Sequence, residues 1–372
     1  MAAPRKVSVG IVGGGRVGVG FAKLVNSWEE TRLAGIVTST PARRDELSKL
    51  YKTAAYATTE ELMQSPDKPE IVAVVNANED HYAATVAALE GGAHVFCEKP
   101  MAPTLKECRE MVEAEKRTGK TLQIGFEYMH GTMTSRLRDL VNEGFFGDLL
   151  WASVLDSRGH WWSDSPWSTL ESHWKLDRKR GGGIVFHCGI HQLDMIRCYL
   201  GPIDEITAYR APKNALTFYP HDVPDNVTLM LRAKSGAVCN FQIFHNRAPC
   251  YYRETNPWSP DWRTIPGHEF DVSLVGTKAS CAMQIYKEKL SLFKFDQEYK
   301  DTTLERVEDF GFHPANRSHH DMSGLLQQFV RNVAAGKGAI DPASDAYETM
   351  RLAFAAEEAI ARNGTARVAE FV

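Results

Sequence analysis

No stretch of the chain is apolar for long enough to cross a bilayer as a helix, and there is no basic surplus: 43 Lys and Arg stand against 47 Asp and Glu, a net charge of −4. The first absence argues against a helical membrane protein. The second removes the electrostatic footprint that nucleic acid or an anionic membrane surface requires. Cysteine is sparse, and Cys97, Cys108, Cys188, Cys198, Cys239, Cys250 and Cys281 lie scattered, odd in number and with no C-x-x-C pair. That pattern fits reduced thiols rather than a disulfide framework or a cysteine zinc site. No repeat, low-complexity tract or Pro/Gly-rich linker interrupts the chain, so any domain boundary should be tight. The opening Met-Ala-Ala-Pro-Arg-Lys meets an apolar strand without the core of a signal peptide. The expectation is a cytoplasmic protein whose partners are small molecules or copies of itself.

What is present begins with glycine. The apolar run Val7–Val12 leads into Gly13-x-Gly15-x-x-Gly18, and a helical stretch from Phe21 to Asn26 follows. Glycines so placed let a strand turn tightly into a helix, bring backbone close to a pyrophosphate, and aim the helix N-terminus at that charge. The spacing predicts a dinucleotide site. Strands and helices then alternate. A strand at Leu33–Val37 is followed by helices near Arg43–Leu50 and from Thr58 or Thr59, and a buried strand at Ile71–Val75 by a helix through Leu89 that Gly91 and Gly92 end. His94–Cys97 is the next strand, Thr104-x-x-Glu107 a capping box, and Leu122–Phe126 closes the sheet. This predicts an α/β fold with a doubly wound, parallel Rossmann domain over residues 1–126.

After residue 126 the pattern shifts to two-period strands at Trp151–Leu155, Val227–Leu231, Val238–Phe244, Phe270–Val275 and Leu290–Phe295. A second, α+β domain over residues 127–372 is expected, built on a large, mostly antiparallel sheet. Helices return near Met322–Val333 and Ala346–Arg362, and His319-His320-Asp321 reads as a cap for the first of them.

Three motifs in order carry a family resemblance: the glycine fingerprint, Glu98-Lys99-Pro100 after the fifth strand, and Gly181-Gly182-Gly183 leading to Gly189-Ile190-His191 and Asp194. Over nearly the whole chain these resemble the Gfo/Idh/MocA oxidoreductases. The resemblance implies a Rossmann domain, a C-terminal domain with an open-faced sheet, and homodimers or homotetramers formed through that face. It implies hydride transfer between NAD or NADP and a hydroxyl-bearing carbon of a sugar, cyclitol or sugar derivative. The alternative it carries is a redox-neutral glycosidase that oxidises, eliminates, hydrates and re-reduces on bound NAD(P). Cofactor contacts implied by the resemblance come from Gly13, Gly15, Arg16, Val17 and Gly18, from Thr38, Asn76 and His81, and from Glu98 and Lys99.

Oxidising a secondary alcohol requires a base within hydrogen-bond reach of the hydroxyl while hydride leaves for the nicotinamide. Lys99, at the carboxyl end of a parallel strand and fixed by the following proline, is one candidate. His191 is the second, matching the family's histidine. If Ile184–Leu200 is one helix, His187, His191 and Asp194 share a face. His187 departs from the family, which usually carries an aspartate there. An imidazole lacks that fixed charge, so His187 becomes a third catalytic candidate. Met129 stands where the family often has arginine. His187-x-x-x-His191 also has zinc-ligand spacing, but no third ligand stands at an obvious distance and no metal is expected.

At the end of the second strand, Val37-Thr38-Ser39-Thr40-Pro41-Ala42-Arg43-Arg44 has no acid for ribose hydroxyls and two arginines. The reading mildly favours NADP(H) over NAD(H), with Ser39 and Arg44 on the 2′-phosphate. Substrate contacts are expected from Tyr128, from Arg158, His160, Trp162 and Trp174 in a tryptophan-rich segment, and from His187 and His191. Aromatic faces suit sugar rings, and the cations suit hydroxyls or an anionic group. Tyr251, Tyr252, Arg253, Trp258 and Trp262 form a second polar-aromatic segment.

Overall fold

The computed structural model of the chain describes residues 5–157, 183–212, 224, 226–244, 269–296, 298, 300–311 and 319–372, with backbone alone at His187 and Cys188. Strand β1 (Val7–Val12), helix α1 (Arg16–Ser27), β2 (Thr31–Val37), α2 (Pro41–Tyr51), β3 (Ala55–Tyr56), α3 (Thr59–Met63), β4 (Ile71–Val74), α4 (His81–Glu90), β5 (His94–Cys97), α5 (Leu105–Thr118) and β6 (Leu122–Ile124) follow in order. The six strands form one sheet in the order β3-β2-β1-β4-β5-β6, every pair parallel. Every residue of β1 and β4 is buried, as parallel strands covered on both faces require. Thr58 and Thr104 start α3 and α5 by accepting from the backbone N–H groups of Glu61 and Glu107, each at 3.2 Å.

Next come α6 (Thr132–Asn142), β7 (Leu149–Ser157), a wide π turn at Val185–Gly189, and α7 (Ile190–Leu200). Strands β8 (Ile203–Arg210), β9 (Asn226–Ala233), β10 (Val238–Phe244), β11 (Glu269–Gly276), β12 (Ala279–Gln284), β13 (Lys289–Phe295) and β14 (Thr302–Asp309) precede α8 (Met322–Ala334), α9 (Ala343–Arg362) and β15 (Thr365–Arg367). The second sheet runs β14-β13-β12-β11-β7-β10-β9-β8-β15. Among these pairs β7 with β10 is parallel and the rest antiparallel. Along β10, β11 and β12 buried residues alternate with partly exposed ones, so one face of the sheet is covered and the other open. Among the described residues no helix is long and apolar enough to cross a membrane.

The described chain divides into two compact units, Met1–Phe126 with Met322–Met350, and Glu127–Asp321 with Arg351–Val372. The expectation of one continuous domain over 127–372 is corrected here. Helix α8 returns to the first unit because its apolar stripe, Leu325, Leu326, Phe329 and Val330, is buried with Val9, Ile11, Phe21 and Phe96. Phe96 lies 6.0 Å from both Phe21 and Phe329, ring centre to ring centre. Gln327 and Arg331 reinforce this return, donating to the Glu30 carboxylate at 2.9 and 3.1 Å.

Candidate functional site

In the first unit the glycine turn follows β1. Gly13 N–H donates to the Val37 carbonyl at 2.9 Å, which ties the turn to the end of β2. Gly13 has φ +132°, and a Cβ there would stand 2.7 Å from the Val75 carbonyl oxygen. A Cβ at Gly18 would overlap the Gly13 carbonyl oxygen, so α1 packs against the turn only because residue 18 has no side chain. Around Gly15 the space is open, with nothing within 4 Å of a Cβ. Gly15 caps α1 in an extended conformation without a side-chain cap, and no acid stands in the helix's first turn. Tight turn, open approach and close packing at the three glycines suit a pyrophosphate facing the N–H groups at the start of α1, around Arg16, Val17 and Gly18.

The segment after β2 folds over this turn. Arg44 Nη1 donates to the Thr38 and Ser39 carbonyls, both at 2.9 Å, and Arg43 Nε donates to the Gly14 carbonyl at 3.0 Å while its guanidinium pairs with Glu46. Arg44 thus fastens its own loop, and Arg43, to which no role had been given, lies against the glycine turn.

Across the sheet, Val75 N–H reaches the Val12 carbonyl at 2.8 Å and carries the chain into Asn76, while β5 leads directly into Glu98 and Lys99. These carboxyl ends surround the point between β1 and β4 where the strand order reverses, the ligand position in open α/β sheets. The Lys99–Pro100 bond is cis. His81, buried at the start of α4, places Nδ1 2.8 Å from the Pro100 carbonyl, and burial lowers its pKa so that the ring is neutral. Lys99 N–H donates to Glu98 Oε2 at 3.0 Å. Burial pushes the Glu98 carboxyl up against the opposing pull of the Lys99 charge and N–H. The neighbouring Cys97 thiol is pushed up to about 12 by burial and is chemically inert at neutral pH.

In the second unit, α7 carries His191. The π turn before it starts where Val185 N–H donates to Glu357 Oε1 at 2.7 Å. Gly183, at φ +116°, has no room for a Cβ because the Glu357 carboxylate fills it. A carboxylate thereby meets the positive start of the turn. At Gly189 a Cβ would come within 2.8 Å of Ile243 on β10, which marks a close helix–sheet approach. Gln192 Nε2 donates to Asp156 Oδ2 on β7 at 2.7 Å, holding α7 from its buried side. Instead of one α-helix from Ile184, the chain makes i→i+5 turns over 185–189. The α-helical register that would align His187 with His191 therefore does not hold there. Asp194 forms a 3.5 Å pair with Arg197.

His191 sits in a cluster of aromatic and acidic groups. Its Nδ1 is 3.5 Å from Glu127 Oε2, and His320 Nε2 is 3.2 Å from Glu127 Oε1. Glu127's side chain is 1% exposed and that of His320 48%. The Tyr128 ring stacks on His191 with centres 4.2 Å apart and planes 8° apart. His319 meets Tyr128 edge-on at 5.1 Å and Phe270 at 5.4 Å.

Sequence reasoning assigned Tyr128 and His191, which the structure brings together. It missed Glu127 and gave His319 and His320 to a helix cap. The available signal was an acid set among apolar residues, Ile124-Gly-Phe126 before it and Tyr128-Met129 after. Arg158, His160, Trp162 and Trp174 lie outside the described residues, as do Gly181, Gly182, the 251–262 aromatic segment and the side chain of His187.

Comparison with known proteins follows the same two halves. D-glucoside 3-dehydrogenase of Escherichia coli is 32% identical over 197 residues, 52% of this chain and 54% of that protein. The 2,7-anhydro-N-acetylneuraminate hydratase of the same organism is 27% identical over 201 residues, 54% of this chain and 51% of that protein. The chain spans about half the length of the curated relatives it matches. A solved levoglucosan dehydrogenase in complex with NADH shares the fold, with TM-score 0.76 at 21% identity over 98% of this chain and 99% of that one. Residues 7–126 match the oxidoreductase family with an NAD-binding Rossmann fold, and residues 134–281 match the Gfo/Idh/MocA C-terminal domain. With both domains matched in order along it, the chain belongs to the Gfo/Idh/MocA oxidoreductase family.

Proposed function

We propose that the chain transfers hydride between a nicotinamide cofactor and a hydroxyl-bearing carbon of a sugar, cyclitol or sugar derivative, with Lys99 and His191 exchanging the hydroxyl proton. The observation that carries this reading is Lys99 at the carboxyl end of β5, in the sheet whose glycine turn leaves open space at Gly15. The bound nicotinamide supplies the hydride acceptor or donor. The chain's own residues do the rest. The glycine turn binds the pyrophosphate, His81 and Glu98 fix the backbone on either side of Lys99, and Lys99 and His191 hold or take the proton of the substrate oxygen. The relative named as a glucoside 3-dehydrogenase supports the substrate class.

NADP(H) is the preferred cofactor in this reading, because the end of β2 lacks an acid and offers Ser39 and Arg44 for a 2′-phosphate. The open sheet face, where Trp151 and Met230 stand exposed, would be covered in a homodimer or homotetramer. The buried thiols Cys97, Cys108, Cys239 and Cys281 suit a cytoplasmic setting. A redox-neutral glycosidase is the second reading, favoured by His187 in place of the family aspartate and by the relative named as an anhydro-sugar hydratase. Replacement of Lys99 or His191 by alanine tests the assignment. Each should cost about two to four decades in turnover and leave cofactor affinity nearly unchanged. Near-normal turnover removes that residue from the reaction.

A further inference from the structure

A carboxylate removed from water is costly unless charge or hydrogen bonds meet it. Glu127 is such a group, with His191 at one oxygen and His320 at the other. The two imidazoles differ in surroundings, His191 being buried and His320 half exposed. We propose that Glu127 is a positioning residue for His191 and that His320, sharing the same carboxylate, makes that hold depend on pH. This rests on His191 as the proton-exchanging group.

The argument follows from one negative charge placed between two bases. Nδ1 of His191 lies within ion-pair distance of the carboxylate, so the negative charge favours the neutral tautomer with its proton on Nδ1 and Nε2 as the basic nitrogen. When Nε2 takes a proton, the imidazolium is stabilised by Glu127. Stacking on Tyr128 fixes the ring plane in which this happens. His320 competes for the same charge. Once either ring is protonated, the carboxylate is neutralised and the second ring gains its proton less easily, so the pair titrates in two separated steps. Below the His320 titration the Glu127 charge is spent on the outer ring and His191 is the weaker base. Above it the full charge acts on His191 and proton uptake from a hydroxyl is favoured. Other titratable or charged groups on the elements that carry these three include Tyr128, His319 and Asp321 beside them in the chain, Tyr286 against His319, the Asp194–Arg197 pair on α7, and Asp156 held by Gln192.

The test uses the full chain with ¹⁵N-labelled histidine, titrated by NMR, with His191→Asn and His320→Asn assigning the two rings. In Glu127→Gln both rings should titrate at least about one pH unit lower, because an opposite charge at this range shifts a pKa by about 1–3 units. In His320→Asn the His191 curve should become a single step at higher pH. If Glu127→Gln does not fold, His320→Asn decides alone. An unchanged midpoint of either ring in Glu127→Gln, or a His191 curve indifferent to His320→Asn, overturns the proposal. A kinetic arm separates this from the functional reading. On a panel of free hexoses and cyclitols with NAD(P)+, the pH profile of kcat/KM should lose an inflection in His320→Asn. No turnover on the panel with the rings still coupled sinks the oxidoreductase reading alone, and turnover with uncoupled rings sinks this inference alone.

Discussion

Two substitutions in one turn should separate folding from cofactor binding. A Cβ on Gly18 would overlap the Gly13 carbonyl oxygen, a backbone atom that cannot move without opening the turn. Overpacking of this kind costs about 1–3 kcal/mol. At about 2–4 °C per kcal/mol for a unit of this size, Gly18→Ala should lower the ligand-free Tm by roughly 2–12 °C. Gly15 is different, because its φ of −77° suits alanine and no atom lies within 4 Å of the new methyl. The cost of alanine as an N-cap and the gain from a stiffer unfolded chain are each below about 1 kcal/mol and oppose one another. Gly15→Ala should therefore leave the ligand-free Tm within about 2 °C of the parent. Its methyl nevertheless occupies the open space that a pyrophosphate would approach. A tenfold or greater loss of NADPH affinity, about 1.4 kcal/mol, is expected. Thermal unfolding without ligand and fluorescence titration with NADPH read the two effects. Gly15→Ala with parental NADPH affinity, or with the same Tm loss as Gly18→Ala, refutes this division of roles.

Two further outcomes follow from charge. Arg44→Ala should remove most of a preference for NADPH over NADH, since a charge-assisted contact contributes about 1.5–3 kcal/mol, or one to two decades; equal binding of the two cofactors by the parent protein contradicts the assignment. Burial depresses His81 below its ordinary 6.5, so the unfolded chain binds a proton that the folded one does not, and stability should fall as pH drops below 6.5 toward the folded value. The slope from this group is at most about 1.4 kcal/mol per pH unit, and His81→Asn should lack it in urea unfolding between pH 5 and 7. Parallel pH dependence of parent and variant rules His81 out as its source.

The Rossmann half was legible because its signals are local. Buried parallel strands such as Ile71–Val74 are continuous apolar runs, glycines punctuate them, and Thr58 and Thr104 announce helix starts. Strand β14 was missed because none of its residues is buried, so its sequence carries no two-period pattern of burial. Helix α8 was readable as amphipathic, yet the identity of the core that takes Phe329 is settled by packing alone. The helix around His191 was expected as well, but its start is capped by Glu357, far along the chain, accepting from the Val185 N–H, and no local signal announces the π turn that follows. Glu127 was missed for the same reason. Its partners come from positions 191 and 320, and no spacing in the sequence joins them.

The central claim, net hydride transfer from a carbohydrate-like alcohol to the cofactor or from the cofactor to the corresponding carbonyl, is tested most directly by following the hydride. The protein would be incubated in deuterated water with NAD(P)+ and a panel of free sugars, cyclitols and glycosides. Reduced cofactor and oxidised product accumulating one to one, without deuterium entering the carbon skeleton, is the predicted result. Glycoside cleavage with solvent deuterium beside the transient ketone and no accumulated reduced cofactor would contradict it, and would assign the chain to the redox-neutral chemistry instead.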